Sequence, residues 1–338
     1  MIVDEPAPPP VRPALRSVPQ PVDLSILIVT WNSERWIERC LASIEEACDG
    51  VAYEVVVYDN ASTDATISRV GQAPSPVHVI RANANDGFAA GTNRALAQSR
   101  GRFVFFLNPD CELAPKALTL LVNFLDQNPH VAAAAPLLED ESGDSQREFQ
   151  LRRLPTMRSF ATEVLLFDKL FPRNATTAHY RYRDADLTHP IRVEQPAAAA
   201  FLVRREVFDE IGPLDERFAP AWFEDVDYCR RLAAAGKEVF AVPAARARHF
   251  GGASLEHVGL ARFIEVWYRN MWLYARKWFT PGQAEGLRWM IIAGMLLRCV
   301  ASVAGFANGH GRWASVRAYA NVAKKAFNRW DDGSRSSS

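Results

Sequence analysis

Cysteine gives this chain no framework. The five cysteines, Cys40, Cys48, Cys111, Cys229 and Cys299, are odd in number and scattered, with no CxxC pair and no Cys/His spacing for zinc. A disulfide scaffold is excluded, and a reduced, cytosolic compartment is expected. An excess of one charge is also lacking. The 39 basic and 39 acidic residues cancel, so nothing global points to nucleic acid. Neither GxGxxG nor a P-loop occurs, which removes the fingerprints of dinucleotide and NTPase sites. The first residues carry no basic n-region and no apolar h-region, so no signal peptide is expected. Residues 1–22 hold seven prolines and few large apolar groups, and read as a disordered tail. Residues 331–338 read as a second, polar tail.

What remains is an ordinary globular composition, 49% apolar and 23% charged over 338 residues. Strand-like runs alternate with helical ones. Leu24–Thr30, Tyr53–Tyr58, Val77–Ile80 and Phe103–Leu107 are short, apolar and bounded by turn residues, which suits strands buried on both faces. Helices are expected after Ser33, over Asp64–Val70, Gly91–Ser99 and Leu118–Gln127. The alternation predicts a mostly parallel sheet flanked by helices. Val131–Ala135 reads as a further strand. Residues 139–195 lack a period apart from a helix near Met157–Leu170, and 196–203 re-enter the sheet. Val207–Ile211 and Val226–Ala235 follow as helices, then a strand at Glu238–Val242.

Three strands end in polar groups: Thr30/Asn32, Asp59/Asn60 and Asn108/Asp110. Parallel strands share a carboxyl edge, where open α/β sheets bind ligands, so these groups should converge. Asp59 can accept from a nucleobase ring N–H, with Thr30 and Asn32 beside it. Asp110 can hold a hard cation, and the cation a phosphate. The loop Asn85-Asp86-Gly87-Phe88 through Asn93 runs into a helix, where glycine lets backbone N–H groups approach a phosphate. In Trp222-Phe223-Glu224-Asp225-Val226-Asp227, aromatics precede carboxylates that open a helix; a partly desolvated acid there can serve as a general base. His249, after a strand and before Gly251-Gly252, is a candidate metal ligand. Taken singly, each cluster also fits a plain turn, cap or structural histidine.

The C-terminal part differs. Between Gly286 and Trp330 there are seven Lys or Arg and no acid, around an apolar stretch, Trp289–Phe306, that Arg298 interrupts. Two readings stand: an amphipathic helix on an anionic leaflet, or a helical hairpin packed on the main domain.

The motifs VTWN (29–32), VVYDNASTD (56–64), NDGFAAGTNRAL (85–96), FLNPD (106–110), FLVRREVFDEIGPLDERF (201–218), WFEDVDYCRRL (222–232) and HFGGAS (249–254) resemble, in that order, the family 2 glycosyltransferases, in particular their bacterial rhamnosyltransferase-like branch. The resemblance implies a GT-A fold over residues 23–255, a nucleotide-binding half joined to an acceptor half. Outside the resemblance, a helical region follows at 256–330, for which the membrane and packed-hairpin readings above both stand. The resemblance implies donor contacts from Thr30, Asn32, Asp59, Asn60, Asn85, Gly87, Phe88, Asn93 and Asn108. Acceptor contacts would come from Trp222, Phe223 and Glu224. Asp110 and His249 would hold Mg²⁺ or Mn²⁺, and Asp225 would be the catalytic base, with Glu224 helping to place the acceptor. The implied reaction is inverting transfer from a dTDP- or UDP-linked deoxyhexose to a lipid-linked or polysaccharide acceptor. It would take place in the cytoplasm, at the inner membrane face. The run Pro196-Ala197-Ala198-Ala199-Ala200 departs from the family's Gly-Ala, which bears on the donor sugar. Asn108 removes one carboxylate from the metal motif, which favours modest metal affinity and magnesium. Two rivals fit less well. A sugar nucleotidyltransferase needs a glycine-rich basic loop after the first strand, whereas VTWNSERW has one arginine and no glycine. A non-catalytic membrane-associated scaffold has no need of acids at 110, 224 and 225.

Overall fold

The computed structural model describes residues 22–251, 258–305 and 311–330, so the expectations for both tails and for Gly252–Ser254 lie outside the described residues. Its centre is a nine-stranded sheet. The strands along it are β1 (Leu24–Thr30), β2 (Tyr53–Asp59), β3 (Val77–Arg81), β4 (Phe103–Leu107), β5 (Cys111–Leu113), β6 (Val131–Glu139), β7 (Ile191–Val193), β8 (Ala200–Arg204) and β9 (Glu238–His249). Their order is β3-β2-β1-β4-β8-β6-β9-β5, with β7 on β9.

Every residue of β1 and β4 is buried, as continuous apolar runs between two helical layers must be. Alternate residues feed two cores. Ile26 and Ile28 pack into one, Leu27 and Val29 into the other. The parallel pairing expected from sequence holds for β1, β2, β3 and β4. Beyond β4 the sheet is mixed: β8 runs antiparallel to both β4 and β6, and β5 and β7 antiparallel to β9. A βαβ pattern cannot announce these reversals, because strands 200–204 and 111–113 are entered from loops.

The region from Glu238 to Phe250, expected as a strand and a separate segment, is one strand to His249 with a register shift between Val242 and Arg246. Pro243 sits in that shift, where a residue without an N–H breaks no ladder. The main helices are α1 (Phe88–Ala97), α2 (Ala117–Gln127), α3 (Met157–Val164) and α4 (Glu224–Ala234). Three more follow: α5 (Leu260–Trp278), α6 (Pro281–Val303) and α7 (Arg312–Phe327). The expected helix at 157–170 breaks at Leu166, which is left-handed (φ 63°), and a short turn of helix resumes at Phe167. Ser33 does not cap its helix; it shapes the turn before it, and helix begins at Ile37.

The C-terminal helices pack on the domain. Ile264, Tyr268, Met271, Leu287, Ile291 and Met295 form a third core with Phe160, Phe218 and Phe223. The helical-hairpin reading therefore describes one side of α6. On the other side Trp289, Leu296, Leu297, Val300 and Val303 are exposed.

Candidate active site

Register brings the first strand ends together, with Thr30 opposite Asp59. Their turns close on each other through side chains. The Thr30 hydroxyl donates to Asp59 (3.2 Å), which also accepts from the Ser62 N–H (3.3 Å). Asn32, left-handed at φ 50°, accepts from Thr63 N–H (2.9 Å). Asn60 accepts from Asp86 N–H (3.0 Å) and donates to Gly87 C=O (3.3 Å). A cavity of about 270 Å³ opens above them, lined by Thr30, Asn60, Asn85, Gly87, Phe88 and Trp222, among others. Asp59 is fully buried and Asn32 is absent from that wall; both shape the turns beneath it.

Two of the expected donor residues have other partners. Asn93 lines neither this cavity nor its neighbour. It exchanges hydrogen bonds with the Leu214 backbone (both 2.9 Å) and donates to Glu216 (3.0 Å), so its amide is spent on packing. Gly87 (φ 89°) lines the cavity, but two N–H groups of its turn are already taken. Its own N–H goes to Asn85 (2.9 Å) and that of Phe88 to Pro220 C=O (2.6 Å). A Cβ at position 87 would lie 2.7 Å from that same carbonyl oxygen, so glycine is required here for close approach of the 218–223 loop.

That loop leads to the acids. Trp222 and Phe223 are both left-handed (φ 72° and 77°), uncommon for bulky residues and a sign of a conformation held by its surroundings. The holder is Asn270 of α5. It is fully buried, and its amide nitrogen reaches the carbonyls of Phe218 (2.9 Å), Ala221 (2.9 Å) and Trp222 (3.0 Å). Farther along α5, Trp278 and Lys277 bind buried Asp227 (2.8 and 2.9 Å). Helix α4 and the loop before it are thus both fastened to the C-terminal region. Phe223 also lies in the third core, against Trp267 and Tyr274.

A second cavity, about 210 Å³, is lined by Asn108, Arg152, Glu163, Gln195, Ala197–Ala199, Trp222, Phe223, Glu224 and Asp225, among others, and shares Phe88 and Trp222 with the first. Burial raises the pKa of both carboxyls, but their surroundings differ. Asp225 accepts from Val226 N–H (2.8 Å), Ala198 N–H (3.3 Å) and the Gln195 amide (3.5 Å), and Arg152 adds positive charge, all of which favour its ionised form. Glu224 is pushed well above the usual range by burial and then by Asp225, and its Oε2 has no partner. The two acids thus differ in their surroundings: hydrogen-bond donors and Arg152 favour charge on Asp225, while nothing offsets the burial of the Glu224 Oε2.

Beside these, Asp110, Cys111 and His249 bring ligand atoms within 4.8 Å of one another, the metal-competent cluster among the described residues. Short β5 does this by pairing Cys111 with His249. Asp110 Oδ1 and His249 Nε2 are 3.6 Å apart, and both residues are 5% exposed. Burial lowers the imidazole pKa, against the pull of Asp110, which favours the neutral form that a ligand needs. Burial pushes the Cys111 thiol far up, and its Sγ donates to Ala199 C=O (3.4 Å). One carboxylate and one imidazole fit a divalent cation completed by phosphate oxygens.

Sequence reasoning missed Arg152, Gln195 and Asn270. None sits in a motif, and each reaches the site from a segment without clear periodicity or from a distant helix.

A cavity at the carboxyl edge of a parallel half-sheet, next to an acid-lined cavity in a mixed half, is the arrangement expected of a GT-A fold. The family model described as glycosyl transferase family 2 matches residues 25–212, and the chain belongs to that family. It is similar to N-acetylglucosaminyl-diphospho-decaprenol L-rhamnosyltransferase of Mycobacterium tuberculosis, 27% identical over 81% of this chain and 91% of the relative. Rhamnosyltransferase WbbL of Escherichia coli is 24% identical over 67% of this chain and 82% of its own. Two solved structures share the fold. GalNAc-T7 with UDP, GalNAc and Mn²⁺ has a TM-score of 0.57 at 14% identity, covering 92% of this chain and 57% of that one. The mannosyltransferase PcManGT from Pyrobaculum calidifontis with GDP-Man and Mn²⁺ has a TM-score of 0.53 at 17% identity, covering 92% and 88%. The nucleotidyltransferase and scaffold readings are thereby set aside.

Proposed function

We propose that this glycosyltransferase is inverting and metal-dependent. In this reading it moves a deoxyhexose such as rhamnose from a dTDP- or UDP-linked donor to a lipid-linked or polysaccharide acceptor in cell-envelope glycan synthesis. The observation that carries the reading is the buried acid pair. Asp225, which accepts from the Val226 and Ala198 N–H groups, and Glu224, whose Oε2 has no partner, share a cavity with Asn108, and Asp110, two residues further on, faces His249. The rhamnosyltransferase relatives support the donor class and the lipid-linked acceptor.

In this mechanism the nucleoside sits against Thr30, Asn60 and Asn85, and the sugar against Ala197–Ala199. Asp225 takes the proton from the acceptor hydroxyl as that oxygen attacks the anomeric carbon. Glu224 keeps its proton and donates a hydrogen bond to a neighbouring acceptor oxygen, while Trp222 walls the acceptor. Asp110 and His249 would hold Mn²⁺ or Mg²⁺. When bound, the cation neutralises charge on the departing diphosphate.

The enzyme works in the cytoplasm, peripheral to the inner membrane face. The outer face of α6 (Trp289, Leu296, Val300, Val303) carries no charge, and the neighbouring exposed positions of α7 include Arg312, Arg317 and Lys324 with no acid. Such a surface suits an anionic leaflet. By length and composition α6 is also long and apolar enough to cross a membrane. Its packed inner face, with Gly294 against Val164 and Arg298 bonded to the carbonyls of Glu163 and Val164, favours lying on the bilayer instead.

A panel of nucleotide sugars with Mn²⁺ and a lipid-linked acceptor tests the reading. Transfer from a deoxyhexose donor is expected, and transfer confined to donors outside that class would refute the donor assignment.

A further inference from the structure

His249 has two ring nitrogens, and only one tautomer can serve the metal site. The neutral ring must keep its lone pair on Nε2, which faces Asp110 at 3.6 Å, and its proton on Nδ1. The opposite tautomer would donate Nε2–H to Asp110 and turn the pair into a closed hydrogen bond. Nothing in Asp110 prevents that; a carboxylate accepts from either source.

The choice is made on the other side of the ring, by Gln146. Its side chain spans two atoms of the same histidine. The amide nitrogen donates to the His249 carbonyl (2.6 Å), and the amide oxygen lies 2.9 Å from Nδ1. A backbone carbonyl only accepts, so the end of the amide facing it is the NH₂ group. The end facing Nδ1 is then the oxygen, which also only accepts, so Nδ1 carries the proton. The histidine's own carbonyl thus fixes the amide, and the amide fixes the ring.

Gln146 is itself anchored. Its N–H donates to Leu138 C=O (2.9 Å), and its C=O accepts from the N–H groups of Phe149 (3.0 Å) and Gln150 (2.9 Å) at the start of a helical turn. That turn lays Phe149 against the imidazole, with ring centroids 5.1 Å apart and planes 18° apart. The ring can neither rotate nor slide without breaking these contacts.

We propose that Gln146 is a positioning residue that presets His249 as an Nε2 metal ligand before any cation arrives. This rests on the metal reading of Asp110 and His249 given above. Partners of this kind hold a ligand's orientation and basicity, and their loss typically costs about 10- to 100-fold in metal affinity.

The test compares wild-type protein with Gln146→Met, an apolar chain of similar length, and Gln146→Glu, which keeps an acceptor for Nδ1–H. Long-range ¹H–¹⁵N spectra of the metal-free protein report the His249 tautomer, and Mn²⁺ titration followed by electron paramagnetic resonance reports affinity. The expected results are Nδ1–H in wild type and in Gln146→Glu, and Nε2–H in Gln146→Met. Mn²⁺ binding should be weaker by roughly 10- to 100-fold in Gln146→Met alone. An unchanged tautomer and an unchanged Mn²⁺ affinity in Gln146→Met would overturn the clamp while leaving the metal reading intact. Failure of wild-type protein with Nδ1–H to bind Mn²⁺ would overturn the metal reading itself, and with it the purpose assigned to Gln146.

Discussion

The two cavities are built on opposite plans. Around the nucleotide side, polar groups satisfy one another within adjacent turns: Thr30 with Asp59, Asn32 with Thr63, Asn60 with Asp86 and Gly87. Around the acid side, buried Glu224 Oε2, Gln195 Oε1 and Arg152 Nε have no partner, and the backbone is strained at Trp222 and Phe223. One half is finished by its own turn chemistry. The other is held from outside, by Asn270 and Lys277 of α5, and leaves hydrogen-bonding capacity for a polyhydroxylated substrate. Buried polar atoms without partners are costly, and they persist where a ligand completes them.

This contrast can be broken or sharpened by substitution. The largest effect should come from Asp225→Asn, which removes the base and keeps the shape. Its transfer rate should fall by roughly 100- to 10,000-fold, with donor affinity, read by calorimetry, almost unchanged. Next comes Asn270→Leu, which strands carbonyls of the 218–223 loop. About 2–4 kcal/mol of stability should be lost in denaturant titration, and kcat should drop more than the donor KM rises. A variant with a raised donor KM and normal kcat would erase the distinction between the halves.

Gly87→Ala places a Cβ against Pro220 at a left-handed position, where the two halves touch. A cost of about 1–3 kcal/mol and a reduced kcat are expected. The smallest effect concerns Glu224. Its pKa in the fold is raised above the unfolded value, so the stability it contributes is present at low pH and is lost as pH rises toward the folded pKa. Glu224→Gln should therefore gain in Tm relative to wild type as pH is raised from 4 through neutrality; a constant difference would contradict a buried, raised acid.

The donor half was legible because its signals are local. Apolar runs ending in Asn, Asp and Thr place the parallel strands, and the Asp59–Asp64 cluster marks its turn without help from afar. The family motifs led to Asp110, Glu224, Asp225 and His249 as well. Long-range partners were out of reach. Gln146 meets His249 across 103 residues, and Asn270 meets Phe218 across 52. Neither distance leaves a periodicity or composition signal. Short β5, three residues long, was hidden for the same reason, although it is what joins Asp110 to His249. Asn93 and Gly87 misled in the opposite sense. Both sit in a loop-to-helix motif that suits phosphate binding, yet the Asn93 amide goes to Leu214, the Gly87 N–H to Asn85 and the Phe88 N–H to Pro220.

The central claim is a single displacement, with Asp225 acting on the acceptor from the side opposite the leaving diphosphate. The anomeric configuration of the first-formed product, read by proton NMR before any mutarotation, tests it most directly. The account predicts inversion relative to the nucleotide-sugar donor. A product of retained configuration would contradict it, because a single attack from the face opposite the leaving group can only invert.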